Sequence, residues 1–310
     1  MRPALVAVAH GSRDPRSAAT ISALVDRVRW LRPDLDVRLA FLDHCAPRLD
    51  TVLATVRCAV VVPLLLGRAF HAEVDVPGAV ARAVAARPEL DVAVAHVLGP
   101  DPRLEAAALR RLAEVGVSPE DPEFGVVLAA AGSQQPPANA AVAAVAAAWA
   151  RQTRWQVVPA FACAAQPTVP GAIATLRAHG ARRIAVASWF LAPGLLPNKV
   201  TRQARESTSD AVFATPLGAH DAVAALIVDR YERLTAPHTE TVVPCHKHPH
   251  RGSRSGRTTW AHTRGAITAR RSPGSTGRPG YVVQAADTRA PDGAGVVSHA
   301  FTTRTERKRP

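Results

Sequence analysis

The stretch ALVAVAHGSR, residues 4–13, decides the fold. Six residues run without a polar interruption and stop at His10-Gly11. An apolar run this short, closed by a glycine turn, reads as a strand buried on both faces. Such strands belong to parallel sheets that helices cover. Helical periodicity follows over residues 17–31 and ends at Pro33. Further strands are expected over 37–42, 59–65 and 91–97. Helices are expected over 48–57, 75–86 and 102–115, with Pro77 tolerated in a first turn. Four strand–helix alternations predict an α/β lobe built on a four-stranded parallel sheet.

The pattern then restarts. Residues 116–123 (GVSPEDPE) form a polar linker. Beyond it, strands are expected over 125–130, 155–161, 183–189 and 211–214, and helices over 138–150, 169–179, 196–207 and 219–234. The two halves align as a repeat. AVAHGS (7–12) matches LAAAGS (128–133), and AFLDHCAP (40–47) matches AFACAAQP (160–167). VVVPLLLGRAFHAEVD (60–75) matches AVASWFLAPGLLPNKV (185–200). The expected fold is therefore two similar α/β lobes, each a parallel four-stranded sheet flanked by helices, with a cleft between them. The domains are 1–115, the linker 116–123, a second lobe 124–236, and a tail 237–310.

Charge separates the tail from the rest. The chain of 310 residues carries a net charge of +13, but 13 of its 38 basic residues and only 4 of its 25 acidic ones lie in 237–310. The first 236 residues are near +4. The tail is rich in Arg, Thr, Gly, Ser and Pro, has no sustained period, and is expected to be disordered. Its Cys245-His-Lys-His-Pro-His250 cluster reads as chance histidines rather than a metal store. Aromatics at 5% disfavour base-stacking nucleic-acid modules. No apolar run approaches the twenty or so residues of a spanning helix, and 3–9 reads as a buried strand rather than the core of a leader. Four cysteines without CxxC spacing fit a reducing cytoplasm.

Strand carboxyl ends are where open parallel sheets present ligands. His10 follows the first strand, Asp43 the second, and His71 the loop after the third. Two imidazoles on neighbouring loops suit a borderline divalent metal such as Fe²⁺ or Co²⁺, and Asp43 adds an oxygen. Each also has a plainer use: a strand-end His bonding backbone, an Asp in a turn. The repeat bears on the choice. Ala131, Cys163 and Leu196 stand at the matching positions of the second half, so the fold itself does not require these polar groups. His44, next to Asp43, is expected to point away from it if the strand continues. Glu73 is a weaker alternative acid.

Ala9-His10-Gly11-Ser12-Arg13, Phe41-Leu42-Asp43, Pro63-Leu64-Leu65-Leu66-Gly67, Phe70-His71 and Asp75-Val76-Pro77 together resemble the CbiX/SirB family of sirohydrochlorin chelatases, relatives of the class II chelatases such as ferrochelatase. The likeness covers residues 4–234. The family commonly has Glu where Asp43 stands here. The resemblance implies insertion of a divalent metal into a tetrapyrrole, with no organic cofactor and the metal, Fe²⁺ or Co²⁺, as substrate. It implies His10 and His71 as the metal-holding and proton-accepting pair, with Asp43 assisting. Ser12, Arg13 and Arg68 would bind the carboxylates of sirohydrochlorin. Iron is favoured, which would make the product siroheme; cobalt would serve cobalamin synthesis. The expected protein is cytoplasmic and monomeric, with no membrane or specific nucleic-acid partner. A noncatalytic metal-delivery protein and a basic nucleic-acid binder remain the rival readings.

Overall fold

The first strand, β1 (Ala4–Ala9), is buried at all six residues because it has a parallel neighbour on each side and helices on both faces. A computed structural model describes residues 2–67 and 75–236, together with the backbone of 267–268. β1 pairs with β2 (Val37–Phe41) and β3 (Cys58–Pro63), and β3 pairs with β4 (Asp91–Val94), giving the order β2-β1-β3-β4. The second sheet repeats the arrangement with β5 (Phe124–Ala130), β6 (Gln156–Phe161), β7 (Arg183–Ser188) and β8 (Val212–Phe213), in the order β6-β5-β7-β8. Two parallel four-stranded sheets with covering helices are the architecture that the repeat predicts.

Helix α1 (Pro15–Leu31) shows why these segments are helical. Asp14 caps it by accepting from the Arg16 N–H at 3.0 Å, and Pro15 occupies the first position. Ile21, Leu24, Val25 and Val28 then form one buried stripe. Some boundaries move. The helix expected over 48–57 is only α2 (Leu49–Leu53), because the chain turns at Ala54–Val56 to enter β3. Helix α3 is Val76–Ala86. Helix α5 runs Pro136–Gln152 and starts two residues earlier than expected, since consecutive prolines fit a first helical turn that needs no N–H.

The tail deviates at one described point. Ile267–Thr268, β9, pairs antiparallel with the free edge of β4. The remainder of the tail expectation, including the Cys245–His250 cluster, lies outside the described residues.

Two helices cross between the sheets. α4 (Pro102–Ala113) follows β4 but packs against β7, while α8 (Asp221–Thr235) returns to pack against β3, α1 and α4. One core therefore joins the facing sides of both sheets. It includes Leu5, Val62, Leu128 and Ala187, and Trp149 and Ile227 from the helices. Separate apolar clusters fill the outer faces, under α2 and α3 in one lobe and under α6 (Val169–Ala178) and α7 (Leu195–Ser207) in the other. The Tyr231 hydroxyl of α8 donates to the Pro3 carbonyl at 2.7 Å, which ties the last helix to the first strand's approach.

Arg230 fastens the same helix to the β4–α4 loop. Its Nε donates to the Val97 carbonyl at 3.1 Å, and its Nη2 to the Leu98 carbonyl at 3.0 Å and Asp101 Oδ2 at 3.3 Å. Asp101 also caps α4 and accepts from Arg103, which reaches Asp229 at 3.1 Å. The hydrogen bond from Arg103 holds the Asp101 carboxyl below its ordinary value of 3.8, against the opposing effect of burial. A depressed carboxylate contributes stability above its unfolded pKa, and that contribution is lost as pH falls through the folded value. The urea midpoint is therefore expected to drop on acidification below about pH 4. Asp101→Asn keeps the cap and removes the charge, so its acid limb should be shallower than the parent's. Parallel acid limbs for the two proteins would show that this network is not part of the acid sensitivity.

Candidate functional site at the strand carboxyl ends

The exits of β1 and β2 are laced together. Leu42 N–H donates to the Ala9 carbonyl at 2.9 Å and Asp43 N–H to the His10 carbonyl at 2.8 Å. Gly11 turns away with a φ of +95°, and a Cβ there would lie 1.8 Å from the Asp43 carbonyl oxygen. Only glycine permits that approach. The local fold thus sets His10 and Asp43 side by side.

Asp43 is exposed and well engaged. Its Oδ1 accepts from the His44 N–H at 2.8 Å and from Arg48 Nη1 at 2.9 Å. The His44 N–H first, and Arg48 second, keep its carboxyl below the ordinary aspartate range. It is an anion at neutral pH and a poor proton acceptor. His10 is half-buried, and its ring meets the His44 ring edge to face, with centroids 6.3 Å apart at 89°.

His44 departs from the sequence reading. β2 ends at Phe41, whose N–H bonds the Pro47 carbonyl, so strand alternation no longer applies at 44. His44 takes a φ of +59°, which swings its ring back until Nε2 stands 3.5 Å from Asp43 Oδ2. The polar run Asp-His-Cys followed by Ala-Pro was the available signal that the strand had ended. Sequence reasoning also passed over Arg48 and Arg82. With His10, Asp43 and Asp75 they line a cavity of about 720 Å³ that runs between α2 and α3.

Ser12 and Arg13 follow directly. Ser12 Oγ accepts from the Asp14 N–H at 3.1 Å, leaving its own hydroxyl proton available. Arg13 is exposed, and among the described residues its guanidinium has no hydrogen bond or ion pair. The second lobe approaches at this turn. A Cβ on Gly194 would lie 3.6 Å from Ser12 Oγ, and Arg16 Nη2 donates to Asn198 Oδ1 at 3.1 Å. Leu195, at the start of α7, is 65% exposed beside them. His71, Arg68 and Glu73 lie outside the described residues. Their segment joins the end of β3 to the cavity-lining Asp75. Among the described residues, no three His, Cys, Asp or Glu side chains already converge as a metal site.

The second lobe reproduces the backbone without the chemistry. Gly132 has a φ of +87° and a virtual Cβ 1.9 Å from the Cys163 carbonyl oxygen; Cys163 N–H donates to the Ala131 carbonyl at 3.0 Å. Ala164 takes the φ of +59° seen at His44. Where His10, Asp43 and His44 stand in one lobe, Ala131, Cys163 and Ala164 stand in the other. No described helix is long and apolar enough to cross a membrane.

Comparison with known proteins bears on the fold and the family. Over 79 residues the chain is 28% identical to a sirohydrochlorin cobaltochelatase of Methanosarcina acetivorans, a match covering 24% of this chain and 61% of that relative. The fold resembles SirB from Bacillus subtilis with Fe³⁺, with a TM-score of 0.66 and 23% identity over 76% of this chain and 96% of that one. It also resembles SirB from Bacillus subtilis subspecies spizizenii in complex with cobalt, with a TM-score of 0.61 and 21% identity over the same shares. The CbiX family profile matches residues 4–115 and again 125–234, the two lobes in turn. With both copies matched over most of its length, the chain belongs to the CbiX family.

Proposed function

We propose that this protein is a sirohydrochlorin ferrochelatase, which inserts Fe²⁺ into sirohydrochlorin, releases two protons and forms siroheme. The observation that carries the reading is the juxtaposition of His10 and Asp43 beside a cavity of the first lobe, at strand exits whose counterparts in the second lobe carry Ala131 and Cys163. A resident organic cofactor has no part in the reaction, and the divalent metal is a substrate.

The chemistry assigns roles. Neutral imidazole binds Fe²⁺ or Co²⁺ firmly yet reversibly. Of His10 and His71, one holds the metal while the other takes a pyrrole N–H proton as general base. Asp43, kept anionic by His44 N–H and Arg48, offsets the charge of the incoming dication rather than accepting the proton. Sirohydrochlorin carries many carboxylates. Arg13 and Arg82 are exposed and uncommitted among the described residues, whereas Arg48 is bound to Asp43 and Arg87 to the Leu53 and Ala54 carbonyls. With Arg68 and the Ser12 hydroxyl, these arginines would anchor the macrocycle's rim. The 1–115 lobe supplies the chemistry and the 124–236 lobe a wall. A monomeric, cytoplasmic enzyme fits the internal duplication and the cysteine usage.

Cobalt insertion is the second reading, favoured by the name of the archaeal relative. Nitrogen and oxygen ligands rank these metals alike, so the donor set does not separate them. The test is anaerobic turnover of sirohydrochlorin followed by absorbance, with Fe²⁺ and Co²⁺ in parallel. Faster insertion of iron is expected. A folded, metal-binding protein with no rate above background would instead be a carrier. Removing residues 237–310 should leave the rate within about twofold and abolish salt-sensitive DNA binding, because the tail holds most of the excess charge. A folded but inactive truncation would assign the tail a part in catalysis.

A further inference from the structure

We propose that His44 is a metal-binding residue, which with His10 takes up the divalent ion before it reaches the tetrapyrrole. The inference draws its purpose from the chelatase reading, but its evidence is the geometry of the turn after β2. The His10 and His44 rings stand 6.3 Å apart, centroid to centroid. Two imidazoles sharing one ion tetrahedrally, at metal–nitrogen bonds of about 2.1 Å, have centroids about 5.3 Å apart, so the two rings need to close by only about 1 Å to share one. The His44 ring also lies beside an anion, with Nε2 3.5 Å from Asp43 Oδ2. One Asp43 oxygen is engaged by Arg48, while the His44 ring is the one that stands edge to face against His10.

The duplication shows that the backbone does not ask for this side chain. The same turn in the second lobe has the same φ of +59° with Ala164 in place of His44. Both turns are held by equivalent bonds: Asp43 N–H to the His10 carbonyl in one, Cys163 N–H to the Ala131 carbonyl in the other. A left-handed conformation is uncommon for residues bearing a Cβ and histidine enters it more readily than most, but Ala164 shows that the turn forms without it. What distinguishes His44 is its ring, on the lobe that also carries His10. Its partial exposure suits a ligand that receives an ion from solvent, while half-buried His10 suits one that passes it inward.

The test is an anaerobic titration of the full chain with Co²⁺ in the absence of tetrapyrrole, read from the metal's visible ligand-field absorption. His44→Ala is expected to weaken Co²⁺ binding by at least about tenfold. His44→Gln, of similar bulk but without an imidazole, should not restore it. Ala164 shows that the turn accepts alanine, and an unchanged urea midpoint verifies this for each variant. In turnover with sirohydrochlorin, the KM for metal should rise more than kcat falls. Parent-like Co²⁺ binding in His44→Ala, with binding lost in His10→Ala, would overturn the inference. A parent that binds Co²⁺ through His44 yet never inserts it would uphold the inference and remove the chelatase reading.

Discussion

Replacing His10 with alanine should lower the rate of metal insertion by roughly two to three orders of magnitude and leave the fold intact. The size follows from removing a group that binds the metal or takes a proton in the transition state. The intact fold follows from position. His10 stands beyond the last residue of β1, is only half-buried, and contributes its backbone carbonyl, not its ring, to the bond with Asp43 N–H. Alanine at the matching position of the second lobe makes the equivalent bond, from Cys163 N–H to the Ala131 carbonyl, at 3.0 Å. The measurement is anaerobic turnover at saturating metal, with the urea midpoint recorded beside it. A His10→Ala protein retaining more than about a tenth of the parent rate would remove His10 from the mechanism.

Gly11→Ala should be, with Gly132→Ala, the most damaging added methyl group among the described glycines. A φ of +95° is costly for any residue with a Cβ. The added carbon would also lie 1.8 Å from the Asp43 carbonyl oxygen, a backbone atom that cannot rotate away. The exits of β1 and β2 must separate, and the bond from Asp43 N–H to the His10 carbonyl is lost with them. Conformational strain of about 1–2 kcal/mol and overpacking of about 1–3 kcal/mol together predict a loss near 3 kcal/mol. Gly132→Ala is the control that the duplication provides. Its virtual Cβ meets the Cys163 carbonyl oxygen at 1.9 Å, so a similar loss of stability is expected. No proposed catalytic side chain stands at that exit, so activity per folded molecule should survive in Gly132→Ala and fall in Gly11→Ala. Urea midpoints and rates normalised to folded protein distinguish the two. A Gly11→Ala midpoint equal to the parent's would mean that the two strand exits are not rigidly joined.

Much of this was legible in the chain because the signals are local. An uninterrupted apolar run ending at His10-Gly11 marks a buried parallel strand, and its recurrence as LAAAGS marks the second copy. The contrast between the copies singled out His10 and Asp43, since positions that the fold leaves free became visible by comparison within one molecule. His44 was misread for an equally physical reason. Strand alternation assigns a direction only while the strand lasts, and β2 stops at Phe41 because its N–H is taken by the Pro47 carbonyl, a loop contact that no local pattern records. Arg48 and Arg82 were missed because the cavity between α2 and α3 is made by how two helices lie on a sheet.

The sequence by itself determined the two parallel sheets, their duplication, and the strand ends at which polar groups could act. Periodicity and glycine placement are properties of neighbouring residues, and neighbouring residues are what a sequence shows. Tertiary structure alone decided which sheet each crossing helix covers. The apolar stripes of α4 and α8 carry no address, and packing sends α4 to β7 and α8 to β3. It also decided that the His44 ring faces His10, because one left-handed turn, held by bonds to a neighbouring strand's exit, sets a direction that strand periodicity would have reversed.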